Sequence, residues 1–213
     1  MQAIEKIDIS TDWITFILAL LFLCIFLLKG FNSTKLKAYF FAFFNKSFIV
    51  SEIEERTSLI NRFSVVFTFF TVVNISLLLC YLLFFYQKTT ILRFLLFTKV
   101  FFFVFIYFTL KWVLEQSFVI LFSIQNELKF FLTSKNIYLQ SFSLWLFPIA
   151  ILLFFSNVNT GFLIALILIL LCFRFLLILL NNKNLILKKL FYFILYLCTF
   201  EIAPLFILFK LVL

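Results

Sequence analysis

The chain has 213 residues, of which 66% are hydrophobic, and it carries a formal net charge of +9. Soluble domains are close to half apolar, so this composition excludes an ordinary globular protein and indicates helices within a lipid bilayer. The alternation of apolar and polar residues that is typical of a transmembrane barrel is absent. The 38 phenylalanines have no site-like spacing, and we interpret them as a compositional bias.

Six apolar segments are close in length to the roughly 20 residues that a helix needs to cross a bilayer. They predict one integral membrane domain over residues 1–213, an all-α polytopic transmembrane helical bundle. The predicted spans, in chain order, are 13–28, 63–86, 91–112, 138–155, 162–180 and 190–213.

Lysine and arginine are concentrated in alternate loops. The first, third and fifth loops hold 12 of the 18 basic residues. The positive-inside rule places these loops in the cytoplasm, so both termini are predicted to be periplasmic. An even number of spans also requires the termini to share a side. The same loops predict contact with anionic lipid headgroups, and we expect no nucleic-acid partner.

Two of the basic loops are longer than simple connections. Residues 31–50 combine lysines with aromatic side chains, and residues 115–135 alternate apolar clusters with Glu, Gln, Asn and Lys. Both segments are predicted to be amphipathic helices that lie along the cytoplasmic interface. The alternative interpretation is that they are solvated linkers.

The residue types that most catalytic and metal sites require are missing. The chain has no histidine, the commonest general base and metal ligand. It has no glycine-rich phosphate loop. The four cysteines lie far apart in apolar segments, which favours buried packing roles: Cys24, Cys80, Cys172 and Cys198. We therefore predict no enzymatic activity, no cofactor and no metal.

A few polar residues interrupt the predicted spans. Glu201 lies near the middle of the sixth span and Asn74 lies at a similar depth in the second, while Arg174 lies in the fifth. A charge at the bilayer centre costs about 2.5–3.5 kcal/mol, so these side chains should face other helices or water. Pro204 has no N–H and leaves the carbonyl of Phe200 without a helical partner.

These residues favour a polar lock between helices. In this hypothesis Glu201 is buried and paired with Arg174 or Asn74, and Pro204 opens the backbone beside it. The alternative is a pathway for an ion, a proton or a substrate that is centred on Glu201. Lys99 in the third span and Tyr196 in the sixth are further polar candidates.

The segment "FYFILYLCTFEIAPLFILFKL" at residues 191–211 resembles the closing part of a known family. That family consists of uncharacterised polytopic inner-membrane proteins of Gram-negative bacteria and is catalogued only as a domain of unknown function. The matching residues are Tyr196, Leu197, Cys198, Glu201, Ile202 and Pro204. The resemblance implies a bacterial inner membrane and a similar order of spans, and it supplies no activity.

The sequence thus predicts a non-enzymatic, six-span inner-membrane protein that is an accessory subunit of a larger envelope complex. Its predicted partners are other membrane-protein subunits, and protein export is one setting for such a complex. One alternative is a small transporter or proton-coupled carrier that uses Glu201. A second alternative, based on the phenylalanine bias, is a mitochondrially encoded subunit of an energy-transducing complex.

Overall fold

Every regular element in the described part of the chain is an α-helix. The computed structural model describes residues 12–55, 62–87, 94–121, 125–155 and 160–181. Seven helices lie in these ranges: α1 (Asp12–Phe31), α2 (Ser33–Phe40), α3 (Lys46–Glu55), α4 (Arg62–Gln87), α5 (Phe94–Leu121), α6 (Gln125–Phe155) and α7 (Thr160–Asn181). The prediction of an all-α fold is confirmed for these residues.

Five of these helices, α1, α4, α5, α6 and α7, are long and apolar enough to cross a membrane. They coincide with the first five predicted spans, whereas the sixth, 190–213, lies outside the described residues.

Residues that disfavour helices are few in the long helices. Gly30 lies near the end of α1 and Gly161 near the start of α7, where a glycine disturbs the helix little. Pro148 lies inside α6, and the helix continues through it. Membrane helices tolerate such a proline because neighbouring groups satisfy the freed carbonyl.

The third loop differs from the prediction. Residues 115–121 continue α5 and residues 125–135 begin α6, so the expected interfacial helix over 115–135 is wrong. Helix α5, the third predicted span, extends beyond residue 112. Helix α6, which contains the fourth predicted span, begins well before residue 138. The physical reason is that residues 112–121 contain no glycine or proline to end the helix.

The first loop also differs from the prediction. Residues 31–50 do not form one helix, because α2 and α3 are separated by a turn at residues 41–45. An asparagine caps the start of each short helix. Asn32 Oδ1 accepts from the Lys35 N–H at 2.9 Å, and Asn45 Oδ1 accepts from the Phe48 N–H at 3.2 Å. These N-caps define two helix starts where a single amphipathic helix was predicted.

Helices α4 and α6 occupy the interior of the bundle. Helix α4 packs on α1, α5 and α6, and α6 also packs on α2, α3 and α7. The starts of α1 and α5 meet, since the Trp13 ring lies 5.9 Å from Phe94 and 5.7 Å from Phe97. We call the opposite end, where α1 ends, α4 begins and α5 meets α6, the α5–α6 end.

Aromatic rings fill much of the space between the helices. The Phe67 ring lies 5.1 Å from Tyr39 and 6.2 Å from Phe70, which in turn lies 5.9 Å from Phe147. Such pairs contribute about 0.5–1.5 kcal/mol each beyond the area that they bury. The phenylalanine-rich composition therefore supplies core contacts between α2, α4 and α6 as well as the lipid-facing surface.

Candidate functional site: polar side chains inside the bundle

Asn74 joins α4 to α6 in the middle of the bundle. Its side chain is completely buried. Its Nδ2 donates to the Ser143 carbonyl at 2.8 Å and lies 3.3 Å from Ser143 Oγ. Polar bonds between membrane helices are worth about 0.6 kcal/mol on average and at most about 1.7 kcal/mol. The sequence identified Asn74 as a buried polar residue, but Ser143 as its partner was not predicted.

Buried acceptor oxygens lie close to this bond. Within the described residues, Asn74 Oδ1 and Gln140 Oε1 are buried and have no hydrogen-bond partner. Gln140 lies three residues before Ser143, one turn away on α6. Burying an amide oxygen without a bond costs about 1–3 kcal/mol. The interface between α4 and α6 can therefore accept hydrogen bonds from a buried donor.

Arg174 approaches the same turn of α6 from α7. Its guanidinium carbon lies 6.0 Å from the centre of the Phe142 ring, a cation–π contact. Phe142 precedes Ser143, so Arg174 and Asn74 contact adjacent residues of α6. The structure thus brings two members of the predicted lock to one level of the bundle, where they contact different neighbours.

The other members of the predicted site divide into two groups. Glu201, Pro204 and Tyr196 lie outside the described residues, so the pairing of Glu201 remains a prediction. Lys99 lies on α5 with an exposed side chain, apart from the α4–α6 interface. An exposed lysine near a helix start can extend its amine toward the headgroups.

The sequence interpretation missed two ion pairs near the α5–α6 end, one fully buried and one with a partly buried lysine. Lys35 on α2 and Glu52 on α3 are 2.8 Å apart, and Glu52 also accepts from the Tyr39 hydroxyl at 3.2 Å. Glu115 on α5 and Lys135 on α6 form the second pair at 3.4 Å. The sequence analysis places all these charges in loops. One available signal was that Glu52 follows buried Ile49 by three residues, on the apolar face of α3.

The cysteines and carboxylates do not gather into a metal site in the part of the chain that the structure describes. No group of three His, Cys, Asp or Glu residues is close enough there to hold an ion. Cys24 and Cys80 are buried and Cys172 is exposed. Among the described residues, the polar chemistry between helices consists of hydrogen bonds, ion pairs and cation–π contacts.

A comparison with protein families assigns the chain. Residues 14–212 match the family described as "Domain of unknown function (DUF4271)". The chain belongs to this family. The resemblance to an uncharacterised domain family is thereby confirmed, and the match includes every described helix that carries a polar contact named above. No curated protein and no solved structure matches the chain.

Proposed function

We propose that this protein is a non-enzymatic, six-span accessory subunit of a larger complex in the bacterial inner membrane. Protein export is one such assembly. Other membrane-protein subunits are its partners, and anionic lipid headgroups contact its cytoplasmic loops. The observation that carries the proposal is the division of the helices into largely buried interior ones, α4 and α6, and outer ones that expose large apolar side chains.

Helix α5 is the main candidate for contact with another subunit. Only 11% of the most apolar segment of α5 is buried, compared with 56% for that of α4 and 67% for that of α6. Its outward surface is a row of large apolar side chains, including Phe102, Phe105 and Ile106. In a bilayer such a surface packs against lipid or against another transmembrane helix, and helix association there depends on close van der Waals packing.

Site-specific photo-crosslinking in intact membranes tests the proposal. A photoreactive residue at Phe102 or Ile106 should give a discrete crosslinked protein band of constant size. The matched controls are Phe16 and Phe22 on α1, which are also exposed. Lipid-only adducts at all four positions, together with a single-chain mass after mild solubilisation, would contradict an accessory subunit.

The charge distribution supports an orientation for this subunit. Lys29 at the end of α1 and Arg62 at the start of α4 are exposed at the α5–α6 end. This end is proposed to face the cytoplasm, because basic residues favour that side and attract anionic headgroups. The two termini are then periplasmic if the chain crosses six times.

A second candidate function is a proton-coupled carrier centred on Glu201. The specific observation in its favour is the pair of buried acceptors, Asn74 Oδ1 and Gln140 Oε1, inside the bundle. A carrier predicts that Glu201→Gln folds normally and loses proton uptake in proteoliposomes. An accessory subunit predicts no proton uptake with the unaltered protein or with the Glu201→Gln variant.

A further inference from the structure

The first loop folds into a helical hairpin with both ends at one end of the bundle. Helix α2 starts at Ser33, directly after α1 ends, and α3 ends at Glu55, shortly before α4 begins at Arg62. Since α1 and α4 are both long enough to span, the hairpin starts and finishes at the α5–α6 end. The position of its turn, residues 41–45, therefore decides how far it enters the bundle.

The turn contacts residues that lie deep along α6 and α7. The Phe40 ring stacks on Trp145 with centroids 4.6 Å apart, and the Trp145 Nε1–H donates to the Phe40 carbonyl at 3.1 Å. The Phe43 ring lies 5.8 Å from Phe173.

The helical rise converts these contacts into depths. Phe173 is eight residues before the end of α7, which places it about 12 Å from that end. Trp145 is ten residues before the other end of α6, about 15 Å from it. The Phe43 ring also stacks on Tyr138 at 6.2 Å, seven residues nearer the α5–α6 end than Trp145. The contacts at the tip of the hairpin therefore reach from near the end of α7 to about 12–15 Å inside a hydrocarbon core of about 30 Å.

Most backbone N–H groups of the turn are satisfied, as a low-dielectric environment favours. Four of the five donate to carbonyls of α2 or of the turn: Phe41 to Lys37 O at 3.2 Å, Ala42 to Tyr39 O at 3.3 Å, Phe44 to Phe41 O at 2.9 Å and Asn45 to Phe41 O at 3.1 Å. The Asn45 side chain caps α3, and Trp145 supplies a donor from α6. Irregular backbone is tolerated at membrane depth only where protein or water satisfies it in this way.

The hairpin carries an ion pair at its open end and aromatic rings at its turn. The ion pair between Lys35 and Glu52 lies near its open end, where Lys35 Nζ is 5.7 Å from the centre of the Phe63 ring in the first turn of α4. The turn itself carries the residues "FAFFN", with Phe43 buried and Phe44 exposed. Aromatic rings dominate the turn, while Lys37 lies four residues before it and Lys46 directly follows it, so charge lies along the hairpin as well as at its open end.

We propose that residues 33–55 form a re-entrant hairpin. It enters the membrane from the α5–α6 end, stops inside the bundle against α6 and α7, and returns to the same side. The Lys35–Glu52 pair ties its two helices together at the entrance, and the Trp145 bond holds its turn at depth. This feature is independent of the accessory-subunit proposal, since it concerns contacts within the chain.

Cysteine accessibility tests the hairpin in membrane vesicles. In a background with Cys24, Cys80, Cys172 and Cys198 changed to Ala, a single cysteine is placed at Thr34 or at Phe44, both of which are exposed. A re-entrant turn predicts that Thr34→Cys reacts with a membrane-impermeant maleimide. Phe44→Cys should react at least about tenfold more slowly, because lipid around a thiol suppresses the reactive thiolate. Equal rates after denaturation in detergent confirm that both thiols are otherwise reactive.

Two further measurements keep the test decisive. A fluorophore attached at residue 44 should be quenched most strongly by lipids that are brominated deep in the acyl chain. Trp145→Phe keeps an aromatic ring at this position but removes the N–H that donates to the Phe40 carbonyl. It should therefore raise the labelling rate of Phe44→Cys. Equal labelling of the two cysteines from the α5–α6 side would show a hairpin lying on the surface and overturn the proposal. Labelling of residue 44 from the opposite side would overturn it as well.

Discussion

Glu115 and Lys135 form a buried ion pair across the junction of α5 and α6, with Lys135 Nζ 3.4 Å from Glu115 Oε1. Their side chains are 6% and 5% exposed, respectively. The pair joins the last turns of one long helix to the first turns of the next, so it constrains the angle and the distance between them. A buried ion pair gains little over a well-packed apolar pair, but it becomes unfavourable when one partner is removed.

The first prediction concerns this pair. Lys135→Met leaves the Glu115 carboxylate without this partner and should lower the free energy of unfolding by about 3–5 kcal/mol. The double variant Glu115→Leu, Lys135→Met should recover most of that loss, because no unpaired charge is left. Thermal denaturation of the purified protein in mild detergent measures both. If the losses of Glu115→Leu alone and Lys135→Met alone simply add in the double variant, the pair is not coupled.

The second prediction concerns Asn74. Asn74→Asp replaces the donor to the Ser143 carbonyl with an acceptor at a buried position, and we expect a loss on the order of 3 kcal/mol. Asn74→Leu removes the hydrogen bond together with the unpartnered Oδ1, so its loss should stay below about 1.7 kcal/mol. Ser143→Ala is the matched control. It keeps the backbone carbonyl that accepts from Asn74 at 2.8 Å, so it should preserve this hydrogen bond. Equal losses for Asp and Leu would argue against the observed hydrogen bond.

The third prediction concerns the proposed lock. If Glu201 pairs with Arg174 inside the bundle, Glu201→Leu and Arg174→Leu should each lower stability by about 3–5 kcal/mol, and the double variant should lose far less than their sum. Glu201→Gln keeps hydrogen bonding and should be milder than Glu201→Leu. Additive effects would show that Arg174 is not the partner, and the same cycle with Asn74 then tests the other candidate.

The fourth prediction concerns orientation. A cysteine at Asn157, between α6 and α7, should react with an impermeant maleimide from the periplasmic side, because the positive-inside rule places the basic α5–α6 end in the cytoplasm. A cysteine at Thr34 should react only after the cytoplasmic side is exposed. The reverse pattern at both positions would invert the orientation.

The long helices could be predicted because membrane insertion depends on a property that one segment carries by itself. An apolar run of sufficient length has no other stable form in lipid, so α1, α4, α5, α6 and α7 coincide with the first five predicted spans. Their ends were less predictable. Helix α5 continues into residues 115–121, where the contact between Glu115 and Lys135 buries polar side chains that the sequence analysis places in a loop.

The hairpin and the site depended on contacts that no local pattern contains. Asn74 and Ser143 are separated by 69 residues, and Phe40 and Trp145 by 105. The composition of residues 31–50 predicts an affinity for the membrane interface, but it does not distinguish a helix on the surface from two helices that fold inward. The buried ring of Tyr39 and the asparagine caps determine that difference.

Helix α6 is longer than a bilayer requires. Its 31 residues extend for about 46 Å, whereas the hydrocarbon core is about 30 Å thick. Tilt alone would need about 50° to hide that length, and spanning helices tilt by about 40° at most. Part of α6 must therefore project from the hydrocarbon. Because the candidate span of α6 is Phe130–Phe155, the projecting part is the one that begins at Gln125, and it carries the junction with α5 to the level of the headgroups or above. A thicker or thinner membrane would change how far this junction projects, so bilayer thickness itself becomes a variable that can regulate what the junction reaches.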